Sequence, residues 1–483
     1  MFEQALIPAA GQGVRAYPKT NRLPKVLLEI DGKPLLLRNI ELLRDSLGVR
    51  SITIVVGPLG DQVRARLGDG GRFGVELRYV ECPDPRIGLA RGILLCRDLF
   101  REPFITILGD ELYANSNHSR LAELYGRPFD AVCAVMRTTD LHQIKRNYSV
   151  QIEDGRIVSL VEKPLEIRND LLGCGTYLFT PGIFDAIAGG KPSPRTGRVE
   201  LTDVLDGLAQ GAPGVLPFFL EGMYFNINTT DDYNYAQFQM RSAVIGRRKV
   251  SVVIPAYNEE HSIGYVVRDF RPAVDEVLVV DNSSKDNTAE VARQAGARVV
   301  TVRLKGYGDT IRHGLDCAVG DILVVAEADY SFRARDLSKL LEYLKDADMV
   351  VGTRTTREMV EQGTNMRGPV RWGNVIVAKL VELLWWNLQP RFTDVGCTYR
   401  ALWRDAYRKM RPLLTGTGPE LSPEMMVAVL KSQQRVIEVP VSYHRRLGGE
   451  SKHSANYWRI GRTALRMLRT ILRHRLMSGA LHQ

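Results

Sequence analysis

Two glycines and two basic residues near the start of the chain have the types and spacing of a phosphate-binding loop. Gly11 and Gly13 follow the apolar segment 5–9, and Arg15 and Lys25 come next. Backbone N–H groups at glycines approach a phosphate closely, and fixed cations balance its charge. The glycines alone would indicate only a tight turn between a strand and a helix. Together with the two cations they predict a site for a triphosphate.

A second set of candidate residues lies in the other half of the chain, at the ends of two apolar segments. Asp281 ends the segment 277–281, and Glu327 and Asp329 follow the segment 322–326. A carboxylate at the C-terminal edge of an α/β sheet lies where nucleosides bind. Two carboxylates one residue apart suit a divalent cation that bridges a diphosphate. This half therefore predicts a nucleotide and metal site.

The elements that must position these residues alternate between strand-like and helical patterns, which predicts an α/β fold with mainly parallel sheets. Two segments, 5–9 and 250–255, have the pattern of a first strand that leads into a glycine turn or a polar loop. A helical pattern at 231–242 closes the first half. We therefore predict two domains in tandem, 1–245 and 246–483.

The composition is that of a globular protein, and the positive charge is concentrated at the C-terminus. Of 483 residues, 65 are Lys or Arg and 55 are Asp or Glu, which gives a formal net charge of +10. Nine basic residues and one acidic residue, Glu450, lie between Arg445 and Gln483, so the rest of the chain is nearly balanced. The charge therefore does not favour nucleic acid as a partner.

The sequence predicts neither a membrane span, nor a signal peptide, nor a zinc site. The apolar clusters fall short of the ~18–20 uninterrupted apolar residues that span a bilayer. The N-terminus lacks the basic region of a signal peptide. The six cysteines lie far apart, without the spacing of zinc ligands. We therefore expect a cytoplasmic protein with reduced thiols.

An ordered set of motifs runs through residues 1–240. It opens with Gly11, Gly13 and Arg15, followed by Pro24-Lys25. The later motifs are Leu108-Gly-Asp110, Val161-Glu-Lys-Pro164, Gly173-Cys-Gly-Thr176, Glu200-Leu-Thr-Asp203, Phe225-Asn-Ile-Asn228 and Asp231-Asp-Tyr233. This set resembles the sugar-nucleotidyltransferase family. The resemblance implies a nucleotidyltransferase fold that makes an NDP-sugar from an NTP and a sugar-1-phosphate.

The resemblance also implies roles for individual residues. Gly11, Gly13, Arg15 and Lys25 would hold the triphosphate, Gly88 would line the base or ribose, Asp110 and Asn226 would bind Mg²⁺ or Mn²⁺, Lys163 would pair with the sugar phosphate, and Glu162 and Gly175 would face the sugar. Most relatives have Asp where this chain has Asn226, and the alternative for Asn226 is a plain turn residue. A sugar-1-phosphate oxygen is already an anion, so this reaction needs charge neutralisation rather than a general base.

A second set of motifs runs from residue 250 to residue 475. The motifs are Val250-Ser-Val-Val-Ile-Pro-Ala-Tyr-Asn-Glu259, the segments ending in Asp281 and Asp329, Val350-Val-Gly-Thr-Arg354, Phe392-Thr-Asp394-Val-Gly-Cys-Thr-Tyr-Arg400, and residues 439–452. They resemble the inverting family 2 glycosyltransferases of GT-A fold. Within that family they come closest to the branch of dolichol-phosphate mannose synthase and the polyprenyl-phosphate glycosyltransferases. Both halves are thus expected to be Rossmann-like domains with mixed sheets.

The second resemblance implies that nucleotide, metal and acceptor sites lie in this half. Pro255, Tyr257, Glu259 and Asp281 would bind the nucleotide, and Glu327 and Asp329 the metal. Arg354, Arg400, Arg445, Arg446 and Lys452 would bind the sugar or the acceptor, with Asp394 as a catalytic residue. The family usually has Asp where this chain has Glu327, so the side chain is one methylene longer. Asp394 could instead cap a turn, and an isolated arginine could simply face solvent.

The chain is therefore expected to be a bifunctional transferase. Apart from Asp394 and Glu424, the second half offers no strong candidate for a general base. This favours an acceptor that is already ionised, such as a polyprenyl phosphate. One alternative keeps both activities with a soluble small-molecule acceptor. Another makes the second half a non-catalytic module that binds a nucleotide sugar.

The C-terminal segment 457–476 has the pattern of one amphipathic helix. Arginines recur on one face and apolar residues on the opposite face. The arginines are Arg459, Arg462, Arg466, Arg469 and Arg473, and the apolar residues are Ile460, Ala464, Met467, Leu468, Ile471 and Leu472. This pattern favours a peripheral helix on the anionic cytoplasmic face of a membrane. The alternative is a helix docked on its own domain.

Overall fold

The computed structural model describes residues 2–11, 13–16, 20–21, 23–124, 126–304, 306–364, 366, 368–447 and 457–477. The chain divides into two compact units between Gln237 and Phe238. This division falls inside a helix, a few residues before the predicted domain boundary, which stays a prediction.

The described strands of the first unit form one large sheet and two short pairs. The strands are β1 (Gln4–Ala9), β2 (Glu29–Ile30), β3 (Lys33–Pro34), β4 (Ser51–Val56), β5 (Glu76–Glu81), β6 (Phe104–Ile107), β7 (Glu111–Ala114), β8 (Ala131–Arg137), β9 (Tyr148–Glu153), β10 (Arg156–Glu162), β11 (Leu171–Phe179), β12 (Val215–Phe219) and β13 (Met223–Asn226). The large sheet has the order β5-β4-β1-β6-β11-β8-β12-β10-β9. Strands β13 and β7 pair with each other, as do β2 and β3.

The large sheet is parallel on one side and mostly antiparallel on the other. Strands β5, β4, β1 and β6 run parallel, whereas β11 is antiparallel to both β6 and β8. Along β1, Ala5 and Ile7 enter one apolar core, and Leu6 enters the core on the opposite face. The predicted α/β fold with a mixed sheet is confirmed, and the sheet is less parallel than the alternation of strands and helices alone indicated.

Helices cover both faces of this sheet. They are α1 (Leu35–Leu47), α2 (Gly60–Leu67), α3 (Leu89–Leu94), α4 (Leu141–Arg146), α5 (Gly182–Gly189), α6 (Leu201–Ala209) and α7 (Thr230–Val244). Helix α7 is the one that contains the division between the two units.

The second unit repeats the mixed architecture with a smaller sheet. Its described strands are β14 (Val250–Ala256), β15 (Glu276–Asp281), β16 (Arg298–Thr301), β17 (Ile322–Val325), β18 (Met349–Thr353), β19 (Arg400–Trp403) and β20 (Val436–Pro440), in the order β16-β15-β14-β17-β19-β18-β20. Its helices are α8 (Glu260–Phe270), α9 (Thr288–Gln294), α10 (Tyr307–Cys317), α11 (Leu337–Leu344), α12 (Pro369–Leu384), α13 (Arg404–Met410), α14 (Leu421–Lys431) and α15 (Tyr457–Leu476). Strand β19 runs antiparallel to its neighbours β17 and β18, while β14 to β17 are parallel.

Helix α15 spans the predicted range 457–476 and docks on its own unit. Met467, Ile471 and His474 are buried, and Ile471 belongs to the core formed by α12, α14 and the sheet. Leu472, which the sequence pattern assigned to the apolar face, is instead exposed together with Leu465 and Leu476. The docked face is therefore narrower than predicted, and a second apolar stripe lies among the arginines on the outside.

Helix α12, which packs against α15, has the same two-sided character. Val377 and Val381 are buried, whereas Trp372, Ile376 and Leu383 on the opposite face are about two thirds exposed. We call the exposed apolar residues of both helices and the following turn the outer face; they are Trp372, Ile376, Leu383, Trp386, Leu465, Leu472 and Leu476. Among the described residues, no helix combines the length and the apolar character that a transmembrane span requires.

Candidate active sites

The glycine loop after β1 approaches Lys25 closely at one position and is open at another. Gly13 has a φ of 64°, and a Cβ there would come within 3.1 Å of the Lys25 Cβ. A side chain at position 13 would therefore be both strained and crowded. At Gly11, no heavy atom of the described residues lies within 4 Å of where a Cβ would stand. The backbone of the loop is thus accessible to a ligand at Gly11.

A hydrogen-bonded cluster joins four of the predicted residues to Asn228. The Lys25 ammonium donates to Asp110 Oδ2 at 2.5 Å and to Asn228 Oδ1 at 3.4 Å. Arg15 Nη2 donates to the same Asn228 oxygen at 3.1 Å. Asn228 Nδ2 in turn donates to Asn226 Oδ1 at 2.7 Å. Two cations, one carboxylate and two amides therefore lie in one network.

Asp110 and Asn226 carry the hard oxygen atoms that magnesium prefers. Strands β7 and β13 pair, and the Ile227 N–H donates to the Asp110 carbonyl oxygen at 3.0 Å, which brings the two residues together. Magnesium usually takes one or two protein carboxylates and completes its shell with water and substrate phosphates. The described residues hold no group of three His, Cys, Asp or Glu side chains suited to a metal. The residues therefore fit a divalent cation that binds jointly with a triphosphate.

Glu111, which the sequence reasoning missed, is a buried carboxyl group directly after Asp110. It accepts hydrogen bonds from the Tyr113 and Tyr224 hydroxyls at 2.5 and 2.7 Å and from the Gly175 N–H at 2.7 Å. Burial raises the pKa of Glu111 to about 7, although these hydrogen bonds act in the opposite direction. A Cβ at Gly175 would come within 2.5 Å of Glu111 Oε2. Gly175 thus packs against Glu111, and the expectation that it faces the sugar stays a prediction.

Glu162 and Lys163 lie at the end of β10 with an unusual backbone. Lys163 has a φ of 47°, and its N–H donates to the Asn147 carbonyl oxygen at 2.7 Å. The Lys163 ammonium lies 3.6 Å from Glu162 Oε1, and the Thr202 hydroxyl donates to Glu162 Oε2 at 2.9 Å. A non-glycine residue with positive φ costs about 1 kcal/mol or more and persists because its surroundings hold it. The backbone at Lys163 is thus held in place, and its ammonium group is partly exposed.

A polar cavity of about 380 Å³ lies beside Asn226 and Asn228. Asn147, Arg146 and Tyr235 also line it. Its volume suits one small polar ligand. Gly88 is not among the lining residues of this cavity; it has a φ of 88° and precedes α3 next to the Arg198 side chain.

In the second unit, a cavity of about 250 Å³ gathers five of the predicted residues. They are Pro255, Tyr257, Glu259, Glu327 and Asp329, and the cavity is also lined by Asn282, Tyr307 and Arg446. Asp281 is buried at the end of β15, directly before Asn282. Its Oδ1 accepts from the Ser284 N–H at 3.3 Å. The cavity lies beyond the C-terminal ends of β14 and β17, where α/β sheets bind nucleotides.

Glu327 is held by two hydroxyl groups at the wall of this cavity. The Tyr307 hydroxyl donates to Glu327 Oε1 at 2.9 Å, and the Thr398 hydroxyl donates to the same oxygen at 2.6 Å. Burial and the neighbouring charge of Asp329 raise the pKa of Glu327. The longer side chain is therefore fixed in place rather than loose.

Asp329 carries a buried oxygen that faces a cation. Its Oδ1 accepts from the Ser331 N–H at 3.0 Å, whereas its Oδ2 has no hydrogen-bond donor among the described residues. Arg446 Nε lies 3.0 Å from Oδ2 as an ion pair that does not meet hydrogen-bond geometry. A buried carboxylate oxygen that accepts no hydrogen bond can serve as a ligand for a divalent metal. Glu327 lies at the same cavity and adds a second carboxyl group. The residues therefore fit a metal-bound diphosphate.

Asp394 forms a buried ion pair with Arg354. Arg354 Nε donates to Asp394 Oδ2 at 2.8 Å, and Nη2 donates to Oδ1 at 2.9 Å. The backbone N–H groups of Arg354 and Gly396 also donate to the carboxylate, each at 3.1 Å. Although burial opposes its charge, the Asp394 carboxylate raises the pKa of Arg354 well above its usual range. The two side chains occupy each other in this structure, and the catalytic role expected of Asp394 and the acceptor-binding role expected of Arg354 stay predictions.

Arg400 belongs to the core rather than to an acceptor site. It is 1% exposed, and its guanidinium donates to the carbonyl oxygens of Ser422, at 3.0 Å, and Cys397. Burial lowers the pKa of Arg400. This burial argues against direct contact with an acceptor, and the role expected of Arg400 stays a prediction.

The basic residues that follow β20 separate into different positions. Arg446 lines the cavity, whereas Arg445 is exposed and its guanidinium donates to the Gln362 carbonyl oxygen. Lys452 lies outside the described residues. Arg446 was expected to be available for the acceptor phosphate, and it lies beside Asp329 at the cavity. Asn228 and Tyr307 were missed as individual site residues, although Asn228 lies within a motif quoted above.

Each half of the chain matches a different family. Residues 4–243 match the family model described as nucleotidyl transferase, and residues 251–410 match glycosyl transferase family 2. The chain belongs to both families and carries a sugar-1-phosphate nucleotidyltransferase domain followed by a family 2 glycosyltransferase domain. The finer resemblance to dolichol-phosphate mannose synthase stays a prediction.

Three relatives illustrate this division. A glucose-1-phosphate thymidylyltransferase of Streptomyces griseus is 32% identical over 232 residues, which are 47% of this chain and 63% of that protein. A UTP–glucose-1-phosphate uridylyltransferase of Haloferax volcanii is 30% identical over 240 residues, 49% of this chain and 96% of that protein. An uncharacterized glycosyltransferase of Mycobacterium tuberculosis is 35% identical over 212 residues, 43% of this chain and 90% of that protein. The chain thus spans less than two thirds of the streptomycete relative.

Proposed function

We propose that this chain catalyses two consecutive reactions. The first joins an NTP and a sugar-1-phosphate into an NDP-sugar and releases pyrophosphate. The second transfers the sugar, with inversion, from that NDP-sugar to an acceptor. The observation that carries the proposal is that each unit contains its own cluster of carboxylate and basic side chains. These clusters are Arg15, Lys25 and Asp110 in the first unit and Glu327, Asp329 and Arg446 in the second.

In the first reaction, an oxygen of the sugar phosphate attacks the α-phosphorus, and the bond to pyrophosphate breaks. Arg15 and Lys25 bind the triphosphate and balance the charge that moves onto pyrophosphate. Lys163 holds the attacking sugar phosphate. A Mg²⁺ or Mn²⁺ ion held by Asp110 and Asn226 would supply further charge neutralisation. Two of the relatives named above, the thymidylyltransferase and the uridylyltransferase, act on glucose-1-phosphate, so UTP and dTTP with glucose-1-phosphate are the first substrates to test.

In the second reaction, an acceptor oxygen attacks the anomeric carbon of the sugar from the face opposite the leaving NDP. Tyr257, Glu259 and Asp281 orient the nucleoside. Arg446 stabilises the diphosphate that leaves. A divalent cation held by Asp329 and Glu327 would supply further positive charge at the same phosphates.

Two observations favour a polyprenyl phosphate as the acceptor. The first is that the two candidate bases are engaged: Asp394 is paired with Arg354, and Glu424 is paired with His474 at 3.1 Å. A phosphate acceptor is ionised near neutral pH and needs no base. The second is the outer face of α12 and α15, where apolar residues are exposed among arginines. Such a surface suits peripheral contact with an anionic membrane, where a polyprenyl phosphate resides.

The experiment supplies the full chain with UTP or dTTP, radiolabelled glucose-1-phosphate, Mg²⁺ and vesicles that contain polyprenyl phosphate. We expect label first in the NDP-sugar and then in the organic extract. Asp110→Asn should block both steps, and Asp329→Asn only the second. Asp61→Asn, at an exposed position on α2, serves as the control.

The distribution of label separates the alternatives. Label in a water-soluble glycoside would indicate a small-molecule acceptor. Label that stops at the NDP-sugar in the unsubstituted chain, with every acceptor offered, would indicate a non-catalytic second half.

A further inference from the structure

The loop 415–418 supports one wall of the nucleotide-sugar cavity in the second unit. The Thr417 carbonyl oxygen accepts from the Gly308 N–H at 2.8 Å, at the start of α10. A Cβ at Gly308 would come within 2.6 Å of the Gly416 carbonyl oxygen. The two segments therefore touch backbone to backbone, which is possible because glycine has no side chain.

Tyr307 directly precedes Gly308, and its side chain extends into the cavity. It lines the cavity, and its hydroxyl donates to Glu327 Oε1 at 2.9 Å. A displacement of the loop 415–418 would move the first turn of α10 and with it Tyr307. The orientation of Glu327 is thus linked to a loop that does not itself line the cavity.

Two buried carboxylates hold the loop. Glu420 Oε1 accepts from the N–H groups of Thr417 and Gly418 at 3.2 and 2.9 Å, and Glu424 holds residues 415 and 416. Glu424, on α14, is fully buried and accepts from the N–H groups of Thr415 and Gly416, at 3.0 and 2.7 Å, and from the Thr415 hydroxyl at 2.8 Å. His474 on α15 completes the shell, with its Nε2 lying 3.1 Å from Glu424 Oε1. Although burial opposes ionisation, the hydrogen bonds from His474, Gly416 and Thr415 lower the pKa of Glu424.

We propose that His474 is a positioning residue for the nucleotide-sugar cavity, acting through Glu424, the loop 415–418 and Tyr307. The inference rests on the proposed role of that cavity as the donor site. Helix α15 would then have a second role besides the proposed membrane contact. Docking of the C-terminal helix on its own unit sets the geometry at Glu327.

Helix docking by itself could also be purely structural, because Met467 and Ile471 are buried on the same face. The two possibilities differ in what a substitution changes. Loss of apolar packing lowers the free energy of unfolding wherever it occurs on the face. Loss of the hydrogen bond to Glu424 changes the cavity as well.

The test measures binding of UDP and dTDP, each with Mg²⁺, by calorimetry. The full chain carries Lys25→Ala so that the first site contributes little. In this background we compare His474→Leu, His474→Gln and Met467→Ala. Glutamine places an amide N–H close to where the imidazole Nε2 lies, and Met467 lies two helical turns before His474. Thr415→Val removes a donor to Glu424 from the loop side and serves as a second probe should His474→Leu fail to fold.

We expect His474→Leu and Thr415→Val to raise the Kd at least fivefold, His474→Gln to stay within twofold of the parent, and Met467→Ala to lower the melting temperature without changing the Kd. Unchanged binding in His474→Leu and Thr415→Val would overturn the inference, as would Kd values that follow the melting temperature across all variants. If the Lys25→Ala parent binds neither nucleotide, the donor-site assignment fails and the positioning role falls with it.

Discussion

The outer face of α12 and α15 leads to a prediction about membrane binding. Trp372 and Trp386 are 66% and 73% exposed. An aromatic side chain offers roughly 150–250 Å² of surface, and burial stabilises by ~25 cal/mol per Å², so half-deep insertion of each exposed ring contributes about 1.5 kcal/mol. Replacing both tryptophans with serine should therefore cost about 3 kcal/mol, which is roughly a hundredfold in partition.

The arginines around the outer face should add an electrostatic contribution to the free energy of membrane binding. Arg462, Arg466 and Arg469 on α15 are exposed. Each basic residue near an anionic membrane contributes about 1 kcal/mol, and this part falls as salt screens it. The triple substitution to glutamine should weaken binding to anionic vesicles by roughly a hundredfold and leave the weak binding to neutral vesicles unchanged.

The assay is flotation of the full chain with vesicles of phosphatidylcholine, with and without phosphatidylglycerol. Matched controls on the same unit are Tyr343→Ser on α11 and Arg408→Gln on α13, both exposed residues outside the outer face. The controls should float like the parent. Equal flotation of the parent and the tryptophan variant, or no flotation of the parent at any salt concentration, would refute membrane contact through this face.

Four further predictions concern the two units separately. Lys25→Ala should lower pyrophosphate release by about a hundredfold or more, because it removes a preorganised cation, while Lys33→Ala, at an exposed surface pair with Glu41, should not. Asp329→Asn should abolish sugar transfer and leave pyrophosphate release unchanged, as the two activities measured side by side would reveal. Arg354→Met should destabilise the second unit by about 3–5 kcal/mol in urea unfolding, because Asp394 is left buried and unpaired, and Arg354→Met with Asp394→Leu should recover much of that loss. Burial raises the pKa of Glu438 from 4.5 to about 7. Because the folded state favours the neutral carboxyl group, the contribution of Glu438 to stability is complete below the pKa of 4.5 and is lost as the pH rises through the pKa of about 7. Glu438→Gln should remove up to ~3 kcal/mol of this pH dependence, measured as the free energy of unfolding against pH.

The sequence predicted those parts of the fold and sites that depend on local pattern. The alternation of apolar strands and helices was sufficient for the α/β class. The apolar segments 5–9, 277–281 and 322–326 located the ends of β1 and β15 and, to within one residue, the end of β17, because glycines or carboxylates follow them. Parallel strands bring their carboxyl ends to one edge, so Glu327 and Asp329 reach the cavity with Pro255 and Tyr257.

The sequence could not predict contacts between distant segments. Gly175 leaves room for the side chain of Glu111, 64 positions earlier in the chain, and this contact could not be predicted from the sequence. From the sequence, His474 is only a polar residue in an amphipathic helix. Its contact with Glu424, 50 positions earlier in the chain, exists because α15 packs against α14. Such partners follow from packing, which a single sequence does not reveal.

Asp329 and Asp394 are the same residue type and are both buried, but their contacts with arginine differ. Both are buried, and both accept a backbone N–H from the residue two positions later. Asp394 meets the planar guanidinium of Arg354 with both oxygens, so its charge is fully neutralised by bidentate hydrogen bonds. Asp329 meets Arg446 at one oxygen only and without hydrogen-bond geometry, at the wall of a cavity. A carboxylate whose lone pairs are all occupied stabilises the fold, whereas one that keeps an oxygen free of hydrogen bonds can still exchange its partner for a metal-bound diphosphate. The geometry of the arginine, rather than burial or residue type, therefore distinguishes the two aspartates, and it supports our proposal that Asp329 is the one that binds a metal.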